Sequence, residues 1–210
     1  MSDLALVLLG ISLPLAGTTL GAGCVFFAKS GMRPAVQKFL LGFASGVMIA
    51  ASIWSLLIPA IEMSGGRFAF VPAAVGFLVG IAFLLLLDCV VPHLHVNAGE
   101  PEGRKSSLGK SLMLVLAVTL HNLPEGMVAG LAAAMASTGE PDAISGALAL
   151  SLGIGLQNIP EGAAVSLPLA HGSCTRLRAF LAGAASGLVE PLGALLAFAL
   201  AEQVGAALPW

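Results

Sequence analysis

Charge is what this chain has least of: only 10% of its 210 residues are Asp, Glu, Lys or Arg, against about a quarter in an ordinary soluble domain. Hydrophobic residues make up 58% of it, so water is not its main solvent. A net charge of −2 gives no reason to expect nucleic acid as a partner. Strand-like alternation is also missing, and Gly is abundant inside the apolar runs, which suits close helix contact in lipid and argues against an outer-membrane barrel. The chain has no His-Glu-x-x-His and no di-iron Glu-x-x-His pattern, which counts against an intramembrane metalloenzyme. Its three cysteines, Cys24, Cys89 and Cys174, have no CxxC spacing and read as packing residues.

A hydrocarbon core about 30 Å thick takes about 20 mainly apolar residues per helix. Six runs of that kind lie near Leu4–Ala28, Val36–Pro59, Phe70–Val91, Leu108–Met135, Ala143–Ala170 and Leu177–Ala201. The predicted fold class is all-α: a polytopic transmembrane bundle, one domain over residues 1–210, with a loop at 92–107. Of nine basic residues, only Arg67 falls in an even-numbered loop; Lys29, Arg33, Lys38, Arg104, Lys105, Lys110, Arg176 and Arg178 belong to odd ones. The positive-inside rule puts the odd loops in the cytoplasm and both termini outside. A cleaved signal peptide is not expected, because the first run lacks a basic n-region and is too long.

Within the membrane the sequence repeats itself. His121-Asn122-Leu123-Pro124-Glu125-Gly126 in the fourth run returns 36 residues later in the fifth as Gln157-Asn158-Ile159-Pro160-Glu161-Gly162. The two runs are antiparallel, so the motifs should meet at one depth, related by an axis in the membrane plane, as in the central sites of many transporters. Residues i and i+4 share a helix face, which brings His121 to Glu125 and Gln157 to Glu161, with Asn122 and Asn158 beside them. Each proline removes a backbone donor, so the carbonyls of Leu120 and Leu156 are expected to turn toward the site.

A third carboxylate, Glu190, stands mid-way along the sixth run in Val189-Glu190-Pro191. A carboxylate near the bilayer centre costs about 2.5–3.5 kcal/mol on the insertion scale, hence roughly 8–10 kcal/mol for three. Ten Leu, Ile, Phe or Val residues return only about 3–6 kcal/mol per span. A bound cation, or protons shared between close carboxylates, would offset the difference. Imidazole, carboxylate and amide oxygen together suit a borderline metal better than an alkali ion.

At these residues the chain resembles the ZIP family of divalent metal permeases, whose fourth and fifth helices carry a His-Asn-x-Pro-Glu-Gly type of signature. The resemblance extends to Gly46-Val-Met48 and Leu57-Ile-Pro59 in the second run and to Ser186-Gly-Leu-Val-Glu190-Pro191 in the sixth, and is to the bacterial branch. It implies inward transport of zinc, with iron, manganese or cadmium as further substrates, through a two-metal centre in a multi-pass protein of the inner membrane. One ion would take Met48, His121, Glu125, Gln157 and Glu161; the other Asn122, Glu125, Asn158, Glu161 and Glu190. Many relatives have His where this chain has Gln157, a weaker ligand. Family members have eight spans, so a chain ending after six in Ala-Ala-Leu-Pro209-Trp210 is expected to lack the last two.

Asp88, His93 and His95 at the inner end of the third run are the expected exit. Glu62 is the expected entrance, with Glu140 and Asp142 completing an acidic outer rim that attracts cations. The expected partners are divalent ions and the lipid bilayer, with a homodimer left open as the assembly. A rival reading is a proton-coupled carrier of small organic solutes, in which the acids relay protons.

Overall fold

The computed structural model describes residues 3–28, 33–92, 109–137, 139–172, 174–201 and 203. Among these, regular structure is helical throughout, and six helices are long and apolar enough to cross a membrane. The first span is α1 (Asp3–Gly23), closed by a short 3₁₀ turn over Cys24–Phe26. The second joins α2 (Pro34–Ala50) to α3 (Ile58–Ser64) through a π-helical stretch at Ala51–Leu57. The third is α4 (Phe70–Val90), the fourth α5 (Lys110–Ala136) and the fifth α6 (Pro141–Gly172). The sixth is two pieces, α7 (Arg176–Ser186) and α8 (Val189–Leu200).

Proline accounts for the irregular second span. Pro59 has no N–H to return to the preceding turn, and that turn is widened, with the Ile58 N–H donating to the Ile53 carbonyl five residues back. Pro124 and Pro160 act differently: α5 and α6 run through them without a break. The sixth span departs from a single continuous helix at Gly187-Leu188, just before Glu190. Pro191 then falls in the first turn of α8, where a missing N–H leaves no intrahelical bond unmade.

Helices in lipid gain nothing from hiding Leu against Leu, so close packing of small residues holds them together. Two seams here rest on glycine. Along α1 and α6, a Cβ on Gly17 would run into the Gly155 backbone, one on Gly21 into Ile159, and one on Gly162 into Thr18. Along α5 and α8, a Cβ on Gly126 would strike the Glu190 backbone, and one on Gly193 the Leu123 carbonyl. The final glycine of each Pro-Glu-Gly motif is thus the point where its helix meets a neighbour, α8 for the first motif and α1 for the second. Spans two and three pack less: only 6% of either window is buried, against 44% for spans one and five.

Candidate metal centre

The two motifs come together because α5 and α6 lie side by side at the depth of their prolines. Across the seam the Gln157 amide donates to Glu125 Oε1 at 2.5 Å. His121 Nε2 lies 3.5 Å from the same Glu125 oxygen and 4.0 Å from Glu161 Oε1. One ligand atom from each of His121, Glu125 and Glu161 falls within 4.8 Å of the others, close enough to surround a single ion. Behind them, Asn158 Nδ2 donates to Glu190 Oε1 at 3.1 Å, and Asn122 Nδ2 donates to the Ser186 carbonyl at 3.2 Å.

Solvent exposure falls in order through this group. The side chain of His121 is 49% exposed, those of Glu125 and Glu161 13% and 15%, while Asn122, Asn158 and Glu190 are completely buried. The cluster is open at the imidazole and closed at Glu190.

What is left without a partner is informative. Among the described residues, eight buried side-chain oxygens have no hydrogen bond, and six of them belong to Asn122, Glu125, Gln157, Asn158, Glu161 and Glu190. Buried polar atoms are almost always paired, and each one left bare costs about 1–3 kcal/mol, more when charged. In the three hydrogen bonds that Asn122, Gln157 and Asn158 make, their amides give N–H groups away and keep their oxygens unpartnered. A set of bare carboxylate and amide oxygens beside one imidazole is donor chemistry that suits a divalent cation.

The remaining expected residues are placed less centrally. Met48 is half-buried on α2. Its neighbour Val47 approaches α6 at Gly153, one turn before Gln157, so the second span faces the helix that carries the site. Asp88 is half-buried in the last turn of α4, and His93 and His95 lie outside the described residues. Glu62 is exposed on α3. Next to it, Met63 lines a cavity of about 380 Å³ together with Trp54, Pro59, Met135 and Leu150, and Asp142 is the one acid in its wall. On α5 and α6, Ala129, Leu150 and Ile154 form a buried apolar cluster with Ala51 packed against it.

Sequence reasoning missed Thr18. It is completely buried on α1, and its hydroxyl donates to Glu190 Oε1 at 2.6 Å. A Thr in an apolar span ordinarily bonds its own helix. No spacing rule would have picked it out.

Comparison with known proteins identifies the family. Residues 97–209 match the ZIP zinc transporter family. The chain is 35% identical to the zinc transporter ZIP11 of Xenopus tropicalis, the match covering 94% of this chain and 81% of that protein. It is 35% identical to ZIPB of Bordetella bronchiseptica, over 96% of this chain and 64% of that one, and 36% identical to ZupT of Neisseria meningitidis, over 94% and 74%. With a buried cluster of metal-type ligands on the matched helices and relatives of this similarity along nearly its whole length, the chain belongs to the ZIP family of divalent metal transporters, a multi-pass membrane protein and not an enzyme.

Proposed function

We propose that this protein moves zinc, or a divalent ion of similar chemistry, toward the cytoplasm across the inner membrane, through a binuclear site between the fourth and fifth spans. The observation that carries the reading is the set of six unpartnered buried oxygens on the two motifs and Glu190, with Glu125 and Glu161 close to His121. One ion sits at the open end on His121, Glu125, Gln157 and Glu161, with the Met48 thioether as fifth ligand. The other sits at the closed end on Asn122, Glu125, Asn158, Glu161 and Glu190. Glu125 and Glu161 bridge the two. Each has one oxygen facing His121 and a second that is buried and bare, the arrangement a bridging carboxylate needs.

Zinc fits a mixed imidazole, carboxylate and thioether set, and Cd²⁺, Fe²⁺ and Mn²⁺ compete for it according to how much weight falls on sulfur and nitrogen or on oxygen. The outer cavity gathers ions past Glu62 and Asp142. The buried cluster of Ala129, Leu150 and Ile154 offers no polar side-chain atom to replace a hydration shell, so passage along α5 and α6 requires it to part. Asp88, His93 and His95 receive the ion on the cytoplasmic side.

The test is zinc uptake into proteoliposomes. Glu125→Ala and Glu161→Ala each remove a bridging ligand and are expected to abolish uptake. Wild-type uptake in either variant rules the reading out, and uptake of an organic solute indifferent to zinc and chelators would favour the proton-coupled carrier.

A further inference from the structure

Glu190 is the most deeply placed of the three carboxylates, and its environment is lopsided. Oε1 accepts two hydrogen bonds, from the Thr18 hydroxyl at 2.6 Å and from Asn158 Nδ2 at 3.1 Å. Oε2 accepts none and is buried. Thr18 has another acceptor nearby, the Pro14 carbonyl of its own helix at 3.4 Å, but a hydroxyl carries one proton and the Glu190 oxygen is closer.

The backbone around Thr18 is fixed from two sides. A Cβ on Gly162, the last residue of the second motif, would collide with the Thr18 carbonyl, and one on Gly187, at the break before α8, would press on the Thr18 side chain. The packing also follows the internal repeat. Gly126 of the first motif abuts Glu190, and Gly162 of the second abuts Thr18; Leu123 receives Gly193, three residues past Glu190, and Ile159 receives Gly21, three residues past Thr18. Thr18 therefore stands on α1 where Glu190 stands on α8. One of two equivalent positions carries a carboxylate and the other a hydroxyl that donates to it.

We propose that Thr18 is a positioning residue of the metal centre: it holds Glu190 through Oε1, so that Oε2 is the oxygen presented to an ion. The inference rests on Glu190 being a ligand, as the proposed function has it. A second carboxylate at residue 18 would repel Glu190, whereas a donor there locks one rotamer and leaves the free lone pairs on the side of the site. Thr18 touches no ion itself and acts through Glu190.

Equilibrium binding of Zn²⁺ to the purified full chain in lipid nanodiscs tests this, with the ions per chain counted and the melting temperature of each variant recorded. Thr18→Val keeps the shape and removes the proton donor; Thr18→Ser keeps the donor. The wild type is expected to bind two ions. Thr18→Val should weaken the step that depends on Glu190 by about tenfold, the scale of one hydrogen bond to a charged group. The other step should be unchanged, and Thr18→Ser should restore most of the loss. In a Glu190→Gln background, Thr18→Val should add nothing. Wild-type binding by Thr18→Val, or equal loss in both backgrounds with a lowered melting temperature, overturns the inference and leaves the two-ion site standing. A single ion per wild-type chain overturns the two-ion reading instead, and non-additivity of Thr18→Val and Glu190→Gln in that one step then decides for or against Thr18. Binding unaffected by Glu190→Gln removes both.

Discussion

The Gln157 amide gives its nitrogen to Glu125 and leaves its oxygen bare, so whatever ion it meets sees a neutral oxygen. An imidazole at that position would offer a stronger ligand to zinc. Gln157→His is therefore expected to tighten Zn²⁺ binding at the open end by about tenfold, or about 1.4 kcal/mol, and to slow release correspondingly. Calorimetric titration with uptake rates checks both; unchanged or weaker binding would mean that residue 157 does not touch the ion. Most of the candidate site was legible in the sequence because a carboxylate beside a proline inside an apolar helix is costly, recurs 36 residues later, and stands four residues after His121 in one motif and after Gln157 in the other. Thr18 was not, because a hydroxyl in lipid costs little and has a local acceptor. Only the approach of α8 reveals which oxygen it serves.

Elements of this bundle are held by where their glycines fall. Gly17 sits against the Gly155 backbone with no room for a side chain, while Gly80 on α4 faces open space. Gly17→Val is expected to destabilise the protein by about 3 kcal/mol through forced separation of α1 from α6. Gly80→Ala should leave stability unchanged or raise it by up to about 1 kcal/mol, because a helix gains from losing a glycine. Thermal unfolding in detergent compares the two; equal melting temperatures would show that the α1–α6 seam does not rest on this contact. The sixth span shows how far element boundaries could be read. Its length and hydropathy gave one helix, yet Gly187 and Pro191 around Glu190 divide it into α7 and α8. Proline marks both irregular spans, but identical residues at Pro124 and Pro160 leave α5 and α6 continuous. Proline in a sequence says that a backbone bond is lost, and neighbouring helices decide whether the chain bends around the loss.

For the whole molecule, the distribution of basic residues predicts a direction across the bilayer. With the odd loops in the cytoplasm, a membrane-impermeant thiol reagent should label Glu62→Cys in intact cells and should reach Arg178→Cys only after permeabilisation, both made in a chain stripped of Cys24, Cys89 and Cys174. Both side chains replaced are exposed, so access depends on sidedness alone. The reverse pattern would invert the direction of transport. On the same scale, the bundle is tight where α1, α5, α6, α7 and α8 meet and looser at the second and third spans, the second of which carries Met48 and one side of the cavity.

Composition, periodicity and the repeated motif were enough to establish an all-α membrane bundle and to single out most of the residues with metal chemistry, because charge in hydrocarbon is too expensive to be incidental. They also tied the two motifs to each other, since antiparallel neighbours bring equal depths together. Tertiary structure decided what depends on contacts between distant parts of the chain. It placed Glu190 behind both motifs through a break in the sixth span, gathered Ala129, Leu150 and Ile154 into a buried apolar cluster, and gave Glu190 its partner on α1. Hydropathy counts each helix by itself, whereas these features exist only where glycine lets two backbones touch.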